Sequence, residues 1–383
     1  MRPKVFAYYF PDYHVDRRNE AWFGKGWTEW NLVKEARPRF EGHAQPRVPV
    51  LGYQDESDPR VAAEYIELAA SHGIDGFLFD YYWYDDGPYL EGALEKGFLK
   101  AANTLDMEFS LMWANHELVY MFPLRDAVSP RTVLKHGGID RAAFERFAEH
   151  VIANYFSQPN YTRVDGRPRF TIYDIGQFIA GLGGIDQAVD ALNWFRDRAR
   201  QEGLGGVYLD IIIWGFAVLP SDFPIRDPDQ LLRILGADSA SSYVWVHHAR
   251  LGPASPDQLS WAAVAESAFR AYEEYATTLP VPFHPNVTTG WDATPRIGQE
   301  IEYPGSTYPG GPAWPPSIEA FRDGLMAARS FVKRHALPYQ EVTINAWNEW
   351  TEGSYLLPDS INGYGFLEAI LEVFGPREPK ETK

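Results

Sequence analysis

Six residues near the end of the chain, Asn348-Glu349-Trp350-Thr351-Glu352-Gly353, set two carboxylates three positions apart around a tryptophan. Paired carboxylates suit glycosidic bond cleavage. One protonates the leaving oxygen and the other stabilises or attacks at the anomeric carbon; each shifts the pKa of its neighbour, so that acid and base coexist. A three-residue spacing in a turn brings Glu349 and Glu352 close without setting their carboxyl separation, so it does not choose between retention and inversion. The competing structural role for either glutamate is to pair with Arg296 or cap the turn.

Polar and aromatic residues also collect where short apolar runs end. Tyr8 and Asp12 follow the first run, Asp80-Tyr81-Tyr82-Trp83 closes the second, and Trp113-Ala114-Asn115 closes the third. Tyr173-Asp174, Trp245-Val246-His247-His248 and Trp291-Asp292 with Arg296 follow later runs. The apolar face of a pyranose packs on an indole while its hydroxyls reach polar groups, and the chain has 13 tryptophans, most of them at run ends or in the loops that follow. We therefore expect Tyr8, Trp27, Asp80, Tyr82, Trp83, Trp113, Asn115, His247, Trp291, Arg296 and Asn348 to contact sugar. The alternative for the aromatics is plugging the top of the fold or packing loops. For Asp80, Glu117 and Asp174 it is helix capping or pairing with Arg296.

The elements that must position these residues read as eight strands: Val5–Phe10, Gly76–Trp83, Phe109–Glu117, Arg169–Asp174, Tyr208–Gly215, Ser239–Val246, Phe283–Thr289 and Val342–Trp347. Amphipathic stretches at Pro59–His72, Arg141–Tyr155, Ile185–Glu202, Pro256–Thr277 and Ser317–His335 lie between them. Asp58-Pro59 and Ser255-Pro256 read as N-caps with proline at the first helical position, and Gly73, Gly203 and Gly236 as helix stops. Strands alternating with helices imply a parallel sheet, and no Gly-rich phosphate turn supports an open nucleotide-binding sheet. The expectation is a single (β/α)8 TIM barrel over residues 1–383. Its long loops follow strand one (Pro11–Glu56) and strand seven (Gly290–Pro316), and its site lies on the C-terminal face.

Composition narrows the function classes. A net charge of −17 argues against nucleic acid, and no run is long enough for a membrane span. Cysteine is absent, which excludes disulfides, thiolate catalysis and Cys-ligated metals. No His-x-His or His-Glu-x-x-His motif is present, so no metal or cofactor is expected. Asp227-Pro228-Asp229 fits the Asp-x-Asp string of nucleotide-sugar enzymes but reads better as a helix cap. The N-terminus lacks the pattern of a signal peptide, so the chain as written reads as cytoplasmic, or as periplasmic or secreted if a signal has been removed. Oligomeric state is not indicated.

The motifs Tyr8-Tyr9-Phe10-Pro11-Asp12-Tyr13-His14, Gly26-Trp27-Thr28-Glu29-Trp30, Asp75-Gly76-Phe77, Tyr81-Tyr82-Trp83, Trp113-Ala114-Asn115, Trp291-Asp292 with Pro295-Arg296, and Asn348 through Gly353 resemble, in order, those of the WbsX-like family. That family is named for glycosyltransferases of bacterial surface-polysaccharide clusters and is similar to glycoside hydrolase family 99, the endo-acting α-mannosidases. The family 99 motif Glu-Trp-His-Glu-Gly matches Glu349-Trp350-Thr351-Glu352-Gly353 except at Thr351. The resemblance implies that Glu349 is the base taking the sugar 2-OH proton and Glu352 the general acid and then base. The reaction would run through a 1,2-anhydro sugar with retention. The departure at Thr351 bears on α-mannoside specificity more than on the chemistry. The resulting expectation is a glycoside hydrolase. A transferase and a non-catalytic glycan-binding barrel are the alternatives.

Overall fold

The computed structural model describes residues 2–125, 132–219, 222–249, 260–303, 308–309, 313 and 317–378. Nine parallel strands form a nearly closed barrel: β1 (Lys4–Tyr9), β2 (Gly76–Tyr84), β3 (Glu108–Trp113), β4 (Arg167–Ile172), β5 (Tyr208–Ile212), β6 (Ser239–Ser241), β7 (Phe283–His284), β8 (Asn286–Thr288) and β9 (Glu341–Asn345). Their order around the sheet is β7-β6-β5-β4-β3-β2-β1-β9-β8. β7 and β8 are two halves of the expected seventh strand, parted by Pro285. Proline has no N–H to give a ladder, so one half pairs with β6 and the other with β9, and the chain itself spans the gap.

Ten helices pack around or above these strands among the described residues: α1 (Arg17–Phe23), α2 (Trp30–Glu35), α3 (Pro59–Ser71), α4 (Arg141–Val151), α5 (Ile175–Leu182), α6 (Ile185–Gln201), α7 (Pro228–Leu235), α8 (Trp261–Thr278), α9 (Ile318–Arg334) and α10 (Gly365–Phe374). Side-chain caps start most of them. Asp58 accepts from the Arg60 N–H with Pro59 at the first helical position, and Asp140, Asp174, Asp227, Ser260 and Ser317 cap others. Asp227 thus serves the cap read from its sequence. The expected helix at Pro256–Thr277 begins at Trp261 instead, and the Ser255-Pro256 pair lies outside the described residues. Strands three and six are shorter than expected. The chain leaves the ladder after Trp113, and a 3-10 turn at Trp245–His248 replaces the end of strand six.

Strand alternation sends side chains two ways. Along β2, Phe77, Phe79, Tyr81 and Trp83 face outward, the first two meeting Phe98 and the last two meeting Phe147 on α4. Asp80 and Tyr82 have the opposite parity and face the barrel axis. The lower barrel interior is polar. Arg169 on β4 pairs with Glu341 on β9 and with Asp210 on β5 at 3.4 Å. Asp210 also accepts from Ser239 (2.7 Å), Ser241 (2.6 Å) and Thr171 (3.1 Å). No described helix is long and apolar enough to cross a membrane.

Candidate active site

A cleft of about 720 Å³, counting its open mouth, lies at the C-terminal ends of the strands, and Glu349 and Glu352 both line it. The turn that carries them is tightly held. Asn348–Glu349 pairs antiparallel with Ser354–Tyr355, and Trp350–Glu352 forms one 3-10 turn between them. Gly353 closes the turn at φ +66°, where a Cβ would stand 2.8 Å from the Asp292 backbone nitrogen, so only glycine fits. Trp350 points away from the cleft and stacks on Tyr355 at 3.8 Å, while its backbone N–H donates to the Tyr13 hydroxyl.

Arg296 draws the glutamates together. It sits in a 3-10 turn whose first residue, Thr294, is held by the Asp292 carboxylate. Its Nη2 donates to Glu349 Oε1 at 2.9 Å and to Glu29 at 3.3 Å, and its Nη1 donates to Glu352 Oε1 and the Tyr308 hydroxyl. Tyr308 in turn donates to Glu352 Oε1 at 2.7 Å. Glu29, from the long first loop, accepts from the Thr351 hydroxyl. On the other side of Glu349, the Tyr243 hydroxyl lies 3.0 Å from Oε2 and 2.9 Å from Asp80 Oδ2. Glu352 Oε2 takes no donor among the described residues.

Burial dominates the electrostatics. It raises the pKa of Glu349 well above the usual carboxylate value, and the charge of Glu352 adds to the rise while Arg296 opposes it. Burial also raises Asp80 and Asp12 well above theirs, and raises Glu29 against the pull of Arg296. The same desolvation lowers His247 and His116, so both imidazoles in the cleft are neutral near pH 7. Burial alone would lower Arg296, but Glu29, Tyr308, Glu352 and Glu349 reverse that and lock its charge. No group of three or more His, Asp or Glu side chains among the described residues is arranged to hold a metal.

The cleft brings together Asp80, Tyr82, His247, Trp291, Arg296, Glu349 and Glu352 from the residues singled out in the sequence. The others stand elsewhere. Trp83 and Trp113 pack on Phe147 in the helical layer, and the Trp113 indole donates to the Trp83 carbonyl at 3.2 Å. Trp27 is buried against Phe23 in the first loop. Tyr8 lies one layer beneath the cleft, its ring 4.7 Å from Tyr243. Asn115 splints the backbone of Asp174 at 2.7 and 2.8 Å, and Asn348 straps the backbone of Phe10 at 2.8 and 2.7 Å. The expected tryptophan platform is therefore corrected to a lining richer in tyrosine: Tyr82, Tyr89, Tyr173, Tyr243 and Tyr308, with Trp291. Sequence reading also missed Glu29 and Tyr243 as parts of the site. Glu29 lay in view within the Gly26–Trp30 motif; nothing local marks Tyr243.

Residues 5–370 match the family model described as Glycosyltransferase WbsX. The chain belongs to the WbsX family. It is 31% and 30% identical over 382 residues to uncharacterized WxcX proteins of two strains of Xanthomonas campestris pv. campestris. The match covers 95% of this chain and 48% of each relative, so the chain spans about half the length of the curated relatives it matches. Among solved structures, the GH99 endo-alpha-mannosidase of Bacteroides thetaiotaomicron superposes with a TM-score of 0.58 at 13% identity, covering 97% of both chains. A structure described as a glycoside hydrolase-like protein gives 0.62 at 14% identity, covering 97% of this chain and 94% of the other. These likenesses show the fold of this chain, a barrel like those of the two solved structures.

Proposed function

We propose that this WbsX-family chain cleaves glycosidic bonds with retention, with Glu349 as the base toward the sugar 2-OH and Glu352 as the acid/base at the departing oxygen. The observation that carries the reading is the convergence of the two carboxylates on the two arms of one guanidinium within a single cleft. That arrangement brings both within reach of one sugar ring. Among the described residues nothing donates to Glu352 Oε2, which leaves it to hold and release a proton, while Arg296 and Tyr308 fix Oε1. Glu349 is oriented from both sides, by Arg296 on Oε1 and Tyr243 on Oε2. The likeness of the final loop to the family 99 motif supplies the division of roles, and Thr351 here anchors Glu29 rather than presenting an imidazole.

The family's name favours a second reading, a sugar-nucleotide transferase. Charge argues against it. A free arginine or lysine would strengthen binding of a nucleotide diphosphate, and the cleft's arginine is already engaged by three carboxylates among the described residues. A glycan library followed by reducing-end detection tests the hydrolase, and thermal shift with UDP- or GDP-sugars and manganese tests the transferase. A 2-deoxy substrate tests the route. If it is cleaved as fast as the parent sugar, the 2-oxygen takes no part and an ordinary two-carboxylate mechanism replaces the proposal.

A further inference from the structure

Tyr243 presents one hydroxyl proton to two carboxyl groups, Asp80 Oδ2 at 2.9 Å and Glu349 Oε2 at 3.0 Å. A phenol has a single O–H to donate. Two ionised carboxylates at these distances would leave one oxygen facing another with no proton between them. Counting donors thus requires one more proton in the chain than the phenol brings. We propose that Asp80, Tyr243 and Glu349 share one extra proton and form a relay, with Asp80 holding that proton while Glu349 is in its basic form.

The surroundings favour this arrangement. Asp80 is buried, and its other oxygen, Oδ1, has no partner among the described residues. Among the described residues no cation pairs with Asp80, and Arg296 is engaged by Glu29, Glu349 and Glu352. The remaining titratable groups around Tyr243 are Tyr82 on β2, Tyr8 on β1, Tyr173 after β4, and His247 in the turn after β6, with Glu352 across the cleft. Among the described residues, only Asp80 and Glu349 come within hydrogen-bond reach of its hydroxyl.

The transfer balances. With a proton on Glu349 Oε2, Tyr243 donates to Asp80. The Glu349 O–H bond then breaks as the phenol oxygen accepts that proton, and the phenol O–H breaks as Asp80 Oδ2 accepts the other. Two O–H bonds form, two break, and the negative charge moves from Asp80 to Glu349. This rests on the proposed role of Glu349 as a base, because Glu349 can take the sugar proton only once the shared proton stands on Asp80. Asp80 and Tyr243 act here as positioning and relay groups.

Infrared difference spectra of the full chain at pH 7 test the sharing without any substrate. A protonated carboxyl has a carbonyl band that exchange into D2O shifts. We expect Asp80→Asn and Glu349→Gln each to lose the same single band, because either change lets an amide donate to the phenol oxygen and removes the need for the extra proton. Loss in only one of the two variants assigns an ordinary buried acid and overturns the relay, as does loss in neither. Tyr243→Phe covers the case in which Asp80→Asn fails to fold: the band should move when its phenol partner is removed, and an unmoved band overturns the proposal. A shared band in a chain that cleaves no glycan would leave the relay standing and remove the hydrolase. Turnover without the band would do the reverse.

Discussion

Two buried arginines, at opposite ends of one barrel, meet carboxylates in different company. At the floor, Arg169 faces Glu341 and Asp210, and three hydroxyls complete the Asp210 shell. Burial works against that carboxylate, but Arg169 and the hydroxyls of Ser241 and Ser239 outweigh it and hold the Asp210 pKa below the usual value. At the cleft, Arg296 faces three carboxylates, with Asp12 and Asp80 nearby, and burial raises Glu349, Glu29, Asp80 and Asp12. Both sets are desolvated to a similar degree. What differs is the supply of donors per carboxylate. Where donors suffice, as around Asp210, the cluster is a brace; its neighbour Glu341 has one oxygen without a partner among the described residues and a pKa raised by burial. Where carboxylates are in excess, protons are held close to transfer, and the site has the acid and base character that chemistry needs.

The sharpest separation of the two clusters is in activity. Glu349→Gln and Glu352→Gln should each lower turnover by about two to four powers of ten, as general acid–base groups do. Glu349→Gln should affect substrates with good and poor leaving groups alike, while Glu352→Gln should hurt poor ones most. Single-turnover rates with an activated and an unactivated glycoside would check this. A residual activity near wild type for folded Glu352→Gln would reduce that glutamate to a partner of Arg296.

Breaking the floor should act on stability instead. Arg169→Met leaves two buried carboxylates without their cation, and removing one partner of a buried pair costs about 3–5 kcal/mol. Chemical denaturation should show that loss, with the specific activity of the remaining folded protein unchanged. A collapse of activity in folded Arg169→Met would show that the floor couples to the cleft and would blur the contrast.

Tryptophans give a similar pair. Trp113→Ala removes a fully buried ring packed on Phe147 and should cost about 3–5 kcal/mol, a typical value for deleting a large aromatic from a core. Trp291→Ala opens the cleft wall and should raise KM more than it lowers stability. Equal destabilisation by both would put Trp291 in the packing layer.

The smallest effect is a difference in pH dependence. Asp210 has a depressed folded pKa, so its contribution to stability is present above the usual carboxylate pKa and is lost as pH falls through the folded value. Glu349 has a raised one, so its contribution is present below the usual pKa and is lost as pH rises toward the folded value. Glu349→Gln should therefore be more stable than wild type at neutral pH, by about 1 kcal/mol, as substitutions that relieve a functional site often are. The gain should vanish toward pH 4. Melting curves across pH would show it, and a destabilised Glu349→Gln would mean that its bond to Arg296 outweighs its burial.

Much of the molecule follows from local rules that a sequence carries. The alternation of apolar runs and amphipathic stretches, with Asp58-Pro59 and Asp227 at helix starts, specified the barrel, because period and capping are properties of neighbouring residues. The Glu349–Gly353 turn was legible because its glycine and its spacing are local as well. Strand parity would have gone further. With Asp80 facing inward, Tyr82 must follow it and Trp83 must turn to the helices, so the misplacement of Trp83 was avoidable. Three things belonged to tertiary structure alone: Glu29 reaching Arg296 across 267 residues, Tyr243 bridging Asp80 and Glu349, and the excess of carboxylates over donors in the cleft. Each depends on distances between strand ends that close only when the barrel does. Desolvation, which shifts those pKa values, exists only once the surrounding layers have packed.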